Sequence, residues 1–220
     1  MTVGEESLRR EICEIGRRMY DRRMVAANDG NISVRLSDNE FLCTPTGVSK
    51  GYMTPEMLCL IDSTGKLIED RRTSDFRPSS EVKMHLKVYE NCPQVNAVVH
   101  AHPAFATTFA VARIPLDRPL TAEAVVSLGT IPVAEYATPS TKEVPESIVP
   151  FLKDYEAVLL ANHGALTWGR NLLDTYHLME SVEFYAEMTY RVLSIGGGVE
   201  LSPEEVDKLK EVRRKVWGKS

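Results

Sequence analysis

The residues best suited to chemistry are His100 and His102 in the apolar run Val98-Val99-His100-Ala101-His102-Pro103, with His163 in Asn162-His163-Gly164 far downstream. Side chains alternate across a β-strand, so a His-x-His pair on a strand points both imidazoles the same way, toward one small cation. A third imidazole must come from elsewhere in the fold. His163 follows Ala157-Val158-Leu159-Leu160-Ala161, which reads as a buried strand whose end carries it to a sheet edge. Three neutral nitrogens with one open position are the ligand set of a catalytic rather than a structural zinc. The i, i+2 spacing equally suits two solvated or hydrogen-bonded histidines, so the pair alone leaves both readings open. Glu81 and His85, at i and i+4 on one helix face, form a rival metal pair. Met84, Leu86 and Val88 surround His85 with core-like residues, which favours a buried, hydrogen-bonded histidine, and His177 inside a long helical pattern reads the same way.

Three polar segments contain groups that hold anions: Asn28-Asp29-Gly30-Asn31, Thr44-Pro45-Thr46-Gly47 and Pro78-Ser79-Ser80-Glu81. Glycine lets backbone amides approach a phosphate, hydroxyls add donors, and a helix N-terminus offers free N–H groups and a favourable dipole. Each segment alone is equally a turn or a helix cap, and their co-occurrence is what points to a phosphate held by Thr46, Gly47, Ser79 and Ser80. Glu81 falls in the first turn of the following helix, where a carboxylate can complement the dipole, ligate a metal or carry a proton.

Hydrophobic periodicity supplies the frame for these groups. Helices are predicted over 5–25, from Ser79 or Ser80 to about 91, over 104–112, from Ser140 or Thr141 to 152, over 172–195, and over 202–216. In the helix over 172–195, Leu173, Tyr176, Met179, Val182, Phe184 and Met188 form a broad apolar face, and Gly196-Gly197-Gly198 stops it. Strands are predicted over 32–36, 40–43, 58–61, 95–100, 131–134, 157–161 and 164–169, the first two and the last two as hairpins. The stretch 70–78 reads as a loop, and 114–130 mixes prolines and small residues without a clear period.

Among the 220 residues no boundary, repeat or linker divides the chain, so one domain over 1–220 is expected. A net charge of −5 gives no basic footprint for nucleic acid. No apolar run is long enough to span a bilayer, and the charged N-terminus lacks a signal-peptide core, which predicts a soluble cytoplasmic protein. Cys13, Cys43, Cys59 and Cys92 lack metal or disulfide spacing and read as small buried hydrophobes.

The order Gly30-Asn31-Ile32-Ser33-Val34-Arg35, Thr44-Pro45-Thr46-Gly47, Ser79-Ser80-Glu81, His100-Ala101-His102, Asn162-His163-Gly164 resembles the class II aldolase/adducin family across essentially the whole chain. The resemblance implies an α/β fold: a single three-layer α/β/α domain around a mostly antiparallel sheet, assembled as a homotetramer with active sites at subunit interfaces. It implies one Zn2+ per subunit on His100, His102 and His163, with Glu81 as catalytic acid/base and as a ligand when substrate is absent. It places a phosphate pocket on Asn31, Thr46, Gly47, Ser79 and Ser80, with Asn28 where the aldolases carry threonine. The implied reaction is zinc-dependent cleavage of a ketose 1-phosphate to dihydroxyacetone phosphate and an aldehyde. A zinc held there would supply a Lewis acid for the charge left by carbon–carbon cleavage, so the resemblance implies no Schiff-base lysine.

The chain departs from that pattern in two places. Aldolase members donate a tyrosine from a neighbouring subunit, but here the segment reads Pro119-Leu120-Thr121-Ala122-Glu123-Ala124, with Glu123 as the group able to carry a proton. They also close the site with a tyrosine on the C-terminal tail, whereas Trp217 is the only aromatic residue beyond Tyr190. The same metal and phosphate core suits a sugar-phosphate 4-epimerase or an oxo-acid-phosphate decarboxylase, and adducin-like relatives keep the fold as non-catalytic binding modules.

Overall fold

The computed structural model describes residues 3–71 and 74–217. Arg72 and Thr73, within the loop expected over 70–78, lie outside the described residues. Helices α1 (Val3–Asp21), α2 (Val82–Asn91), α3 (Ala104–Ala112), α4 (Glu143–Ile148), α5 (Leu172–Ser194) and α6 (Pro203–Trp217) surround seven strands. These are β1 (Asn31–Ser37), β2 (Glu40–Cys43), β3 (Cys59–Ile61), β4 (Ala97–Ala101), β5 (Val133–Ala134), β6 (Ala157–Leu160) and β7 (Gly164–Gly169). They form one sheet in the order β3-β2-β1-β4-β7-β6-β5. Every strand pair is antiparallel except β5 with β6.

Strand alternation builds the three layers. Ile32 and Val34 of β1, Ala97 and Val99 of β4 and Ala165 of β7 pack with α1, α3 and α5 on one face. Val98, Leu166 and Trp168 face the opposite way, into a second core with Val82, Met84 and Val88 of α2 and Val144 and Ile148 of α4. His100 shares the face of Val98, and Asn31 and Ser33 face α2 from the neighbouring strand.

Several boundaries differ from the sequence reading for identifiable reasons. Helix α1 stops at Asp21, although Met24 and Val25 continue its apolar period; both are buried from a turn in which Arg23 and Ala27 take positive φ. The helix expected from 140 or 141 to 152 divides into α4 and a 3₁₀ turn, Val149–Phe151. Tyr176, Met179 and Val182 of α5 are buried as expected, but Leu173 and Phe184 are exposed. The unassigned stretch 114–130 holds a π-helical turn, Ala124–Leu128. All four cysteines are buried, and none forms a disulfide with another. No helix among the described residues is long and apolar enough to cross a membrane.

His85 on α2 is fully buried, with Nδ1 2.8 Å from the Ser33 hydroxyl, which also bonds Tyr89. Burial pushes its pKa down to about 3, against a smaller upward pull from Glu81. In the unfolded chain the ring protonates near 6.5, so between those values the unfolded state holds the extra proton and stability falls as pH falls. A His85→Gln protein should therefore lose less stability on acidification, by up to about 1.4 kcal/mol per pH unit below 6.5. Unfolding midpoints measured from pH 7 to 4 check this, and parallel curves for both proteins would refute it.

Candidate metal centre and anion cleft

Strand register builds the histidine cluster. His100 pairs with Asn31 of β1 and Leu166 of β7 near the end of β4. Its Nδ1 lies 2.9 Å from the Ala165 carbonyl oxygen. A carbonyl only accepts, so Nδ1 carries the proton and the Nε2 lone pair is left for the cleft. His102 lies one residue beyond β4, and its backbone N–H donates to Met24 O at 3.0 Å. His102 Nε2 is 3.0 Å from His100 Nε2, and its Nδ1 is 3.4 Å from Asp29 Oδ2, a carboxylate placed to orient the ring.

His163 occupies the β6–β7 turn, after Asn162 in the left-handed region at φ 56°. The next residue must be glycine for steric reasons: a Cβ on Gly164 would lie 2.4 Å from Ala101 O and 2.7 Å from His102 Cδ2. Gly164→Ala should therefore displace His102 and weaken metal binding about 10- to 100-fold, the range typical of disturbed ligand support. Zinc titration against a competing chelator measures this, and unchanged affinity would show that the turn does not hold the cluster.

The donor atoms of His100, His102 and His163 all lie within 4.8 Å of one another. Tetrahedral coordination at about 2.0–2.1 Å requires nitrogens roughly 3.3 Å apart, a separation that the observed 3.0 to 4.8 Å brackets. Burial lowers the pKa of His100 well below its ordinary value and lowers that of His102, so both rings are neutral donors at neutral pH. The donor set fits a divalent cation.

Glu81 stands at the N-cap of α2 and reaches into this cluster. Its Oε1 is 3.0 Å from His163 Nε2, its Oε2 is 3.7 Å from His100 Nε2, and Asn31 Nδ2 donates to Oε2 at 2.7 Å. Burial alone would raise its pKa, but the hydrogen bonds from His163 and Asn31 and the surrounding imidazoles outweigh burial and hold the carboxyl below its ordinary range.

Beside the cluster is a cleft of about 220 Å³ lined by all six residues expected at the phosphate pocket: Asn28, Asn31, Thr46, Gly47, Ser79 and Ser80. Two segments far apart in sequence meet here. Pro45 bridges Pro78, Thr46 N–H donates to Arg77 O at 2.9 Å, and Ser79 N–H donates to Thr44 O at 3.3 Å. Neither serine caps α2 as expected, because the helix starts one residue after Glu81. Instead Ser79 Oγ accepts from Glu81 N–H at 3.4 Å, and Ser80 Oγ lies 2.9 Å from Ser140 Oγ.

The sequence reading missed Lys50 and Ser140, which also line the cleft. Neither carries a periodic or motif signal, since tertiary folding alone brings them there. Glu123 is exposed and does not line the cleft within one chain. His85 is buried on α2 away from the three-histidine cluster, and His177 is exposed rather than buried.

Residues 10–190 match the class II aldolase and adducin N-terminal domain family. The chain is 34% identical over 183 residues to L-fuculose phosphate aldolase of Methanococcus maripaludis, covering 82% of this chain and 94% of that protein. It is 32% identical over 191 residues to 3-oxo-tetronate 4-phosphate decarboxylase of Escherichia coli K12, covering 84% and 87%. A solved L-fuculose 1-phosphate aldolase superposes with a TM-score of 0.84 at 30% identity, over 94% of this chain and 95% of that one.

Proposed function

Because the chain belongs to the class II aldolase and adducin family, whose relatives here are lyases, we propose that it is a zinc-dependent aldolase acting on a ketose 1-phosphate. L-fuculose 1-phosphate or a similar deoxyketose 1-phosphate is cleaved reversibly to dihydroxyacetone phosphate and an aldehyde. The observation that carries this reading is the convergence of three imidazole nitrogens and one carboxylate at the mouth of a cleft rich in neutral donors.

His100, His102 and His163 would hold a divalent cation, which would supply a Lewis acid for the negative charge that develops as the carbon–carbon bond breaks. Glu81, ionised and oriented by Asn31, removes a proton from the nucleophilic carbon in the synthetic direction and returns it after cleavage. The hydroxyls of Thr46, Ser79 and Ser80, the Gly47 amide and the side-chain amides of Asn28 and Asn31 hold the phosphate. That anchor orients the reacting end through binding energy remote from the broken bond. One Nδ2 proton of Asn31 is committed to Glu81, which leaves its second for the phosphate.

The reading extends to a single domain over 1–220, one zinc per subunit, a cytoplasmic enzyme and a homotetramer with interfacial sites. Glu123, remote from the cleft in its own chain, would act there only across a subunit boundary. A second reading is favoured by the Escherichia coli relative: decarboxylation of an oxo-acid phosphate, which uses the same metal, acid and phosphate groups. A 4-epimerase would use them too, whereas an adducin-like binding module would have no need of the carboxylate set among the three histidines.

A panel of 1-phosphorylated ketoses assayed for dihydroxyacetone phosphate, alongside 3-oxo-tetronate 4-phosphate assayed for carbon dioxide, separates these readings. Release of dihydroxyacetone phosphate from at least one ketose is expected. Carbon dioxide release without it would replace the aldolase by the decarboxylase.

A further inference from the structure

Lys50 is 1% exposed, yet it is one of the residues lining the cleft. Two of its three protons go to backbone carbonyls, Asn28 O at 2.9 Å and Val48 O at 2.8 Å. Among the described residues no carboxylate pairs with it, so the chain buries an ammonium satisfied only by neutral acceptors. Such burial costs free energy unless a counter-ion arrives.

The position is fixed from behind. A Cβ on Gly16 of α1 would lie 2.7 Å from Lys50 O and 2.5 Å from Met53 Cε, so the helix presses directly on the turn that carries the lysine. Among the described residues, Lys50 is also the only lysine or arginine lining a cleft that contains the carboxylates of Asp29 and Glu81. Hydroxyls and amides can hydrogen-bond a phosphate dianion there, but they cannot offset its repulsion by two like charges.

We propose that Lys50 is a specificity-determining residue of the cleft, pairing its ammonium with the substrate phosphate while tying together the Asn28 and Val48 loops that wall the pocket. The inference rests on the phosphorylated-substrate reading and deepens it. Burial pulls the Lys50 pKa down to about 8, opposed by Asp29 and Glu81, so the group is still charged at neutral pH and gains from an anion.

The test compares zinc-loaded parent protein with Lys50→Met, which keeps the stem and removes the charge. Inorganic phosphate is titrated by calorimetry, and thermal unfolding is followed with and without it. Phosphate should bind the variant about 10- to 100-fold more weakly, as expected for loss of a desolvated ionic partner. It should stabilise the parent but not the variant, and acetate at equal concentration should stabilise neither. For a cleaved ketose phosphate, the loss should fall on KM more than on kcat. In the unsubstituted protein, the Lys50 Cε resonance should titrate at higher pH when phosphate is bound, a readout that does not depend on the variant folding.

Equal phosphate affinity in the two proteins, equal protection by acetate, or a Lys50 titration indifferent to phosphate would overturn the assignment. Phosphate binding that depends on Lys50 in a protein that cleaves no ketose phosphate would support the lysine's role and remove the aldolase reaction. Cleavage with a phosphate affinity indifferent to Lys50 would do the reverse.

Discussion

His102→Ala is expected to abolish metal binding and turnover while leaving a folded protein. The ring lies beyond the end of β4 with its side chain 24% exposed, so removing it leaves no large cavity, in contrast to fully buried His100. Two nitrogens from His100 and His163 then remain, too few for a catalytic zinc site. Losing the Lewis acid removes several kcal/mol of charge stabilisation, which at about 1.4 kcal/mol per tenfold is a loss of roughly a thousandfold or more. Metal analysis, circular dichroism and turnover on the same sample test this. A folded variant with parental turnover would exclude the three-histidine centre from catalysis.

Glu81→Gln separates proton transfer from metal binding. Glutamine keeps the length of the side chain and an oxygen that can accept from Asn31 Nδ2, but it cannot exchange a proton at neutral pH. The three histidines are untouched, so metal content should stay at the parental level. Turnover should fall by about 10²- to 10⁴-fold, the usual contribution of a positioned acid or base. Rapid isotope exchange at the nucleophilic carbon of dihydroxyacetone phosphate should be lost in parallel. Retained exchange and turnover would remove Glu81 from its assigned role.

The individual elements were legible because local signals agreed: β1 alternates apolar and polar residues, β4 is a continuous apolar run, and α5 carries a helical period ended by glycines, whereas their three-layer arrangement came from the family resemblance. The histidine cluster was visible for the same reason, since strands bounded by short turns fix where their ends emerge. His102 nevertheless reaches the cluster from outside β4, held by the Met24 carbonyl, a contact no strand argument supplies. The parallel pairing of β5 with β6 depends on a non-local crossover and leaves no trace in a two-residue strand. Two buried cations left no signal in the sequence: Arg9 is buried against Glu5 and Lys50 against two carbonyls. Burial of an ion depends on partners that only tertiary structure brings together.

The central claim is that a cation on His100, His102 and His163 drives carbon–carbon cleavage. Stripping the protein of metal with a chelator, returning zinc in measured amounts and recording dihydroxyacetone phosphate release tests it most directly. Activity should vanish on stripping and return in proportion to zinc, reaching its plateau at one ion per chain. Release that survives complete metal removal would contradict the account.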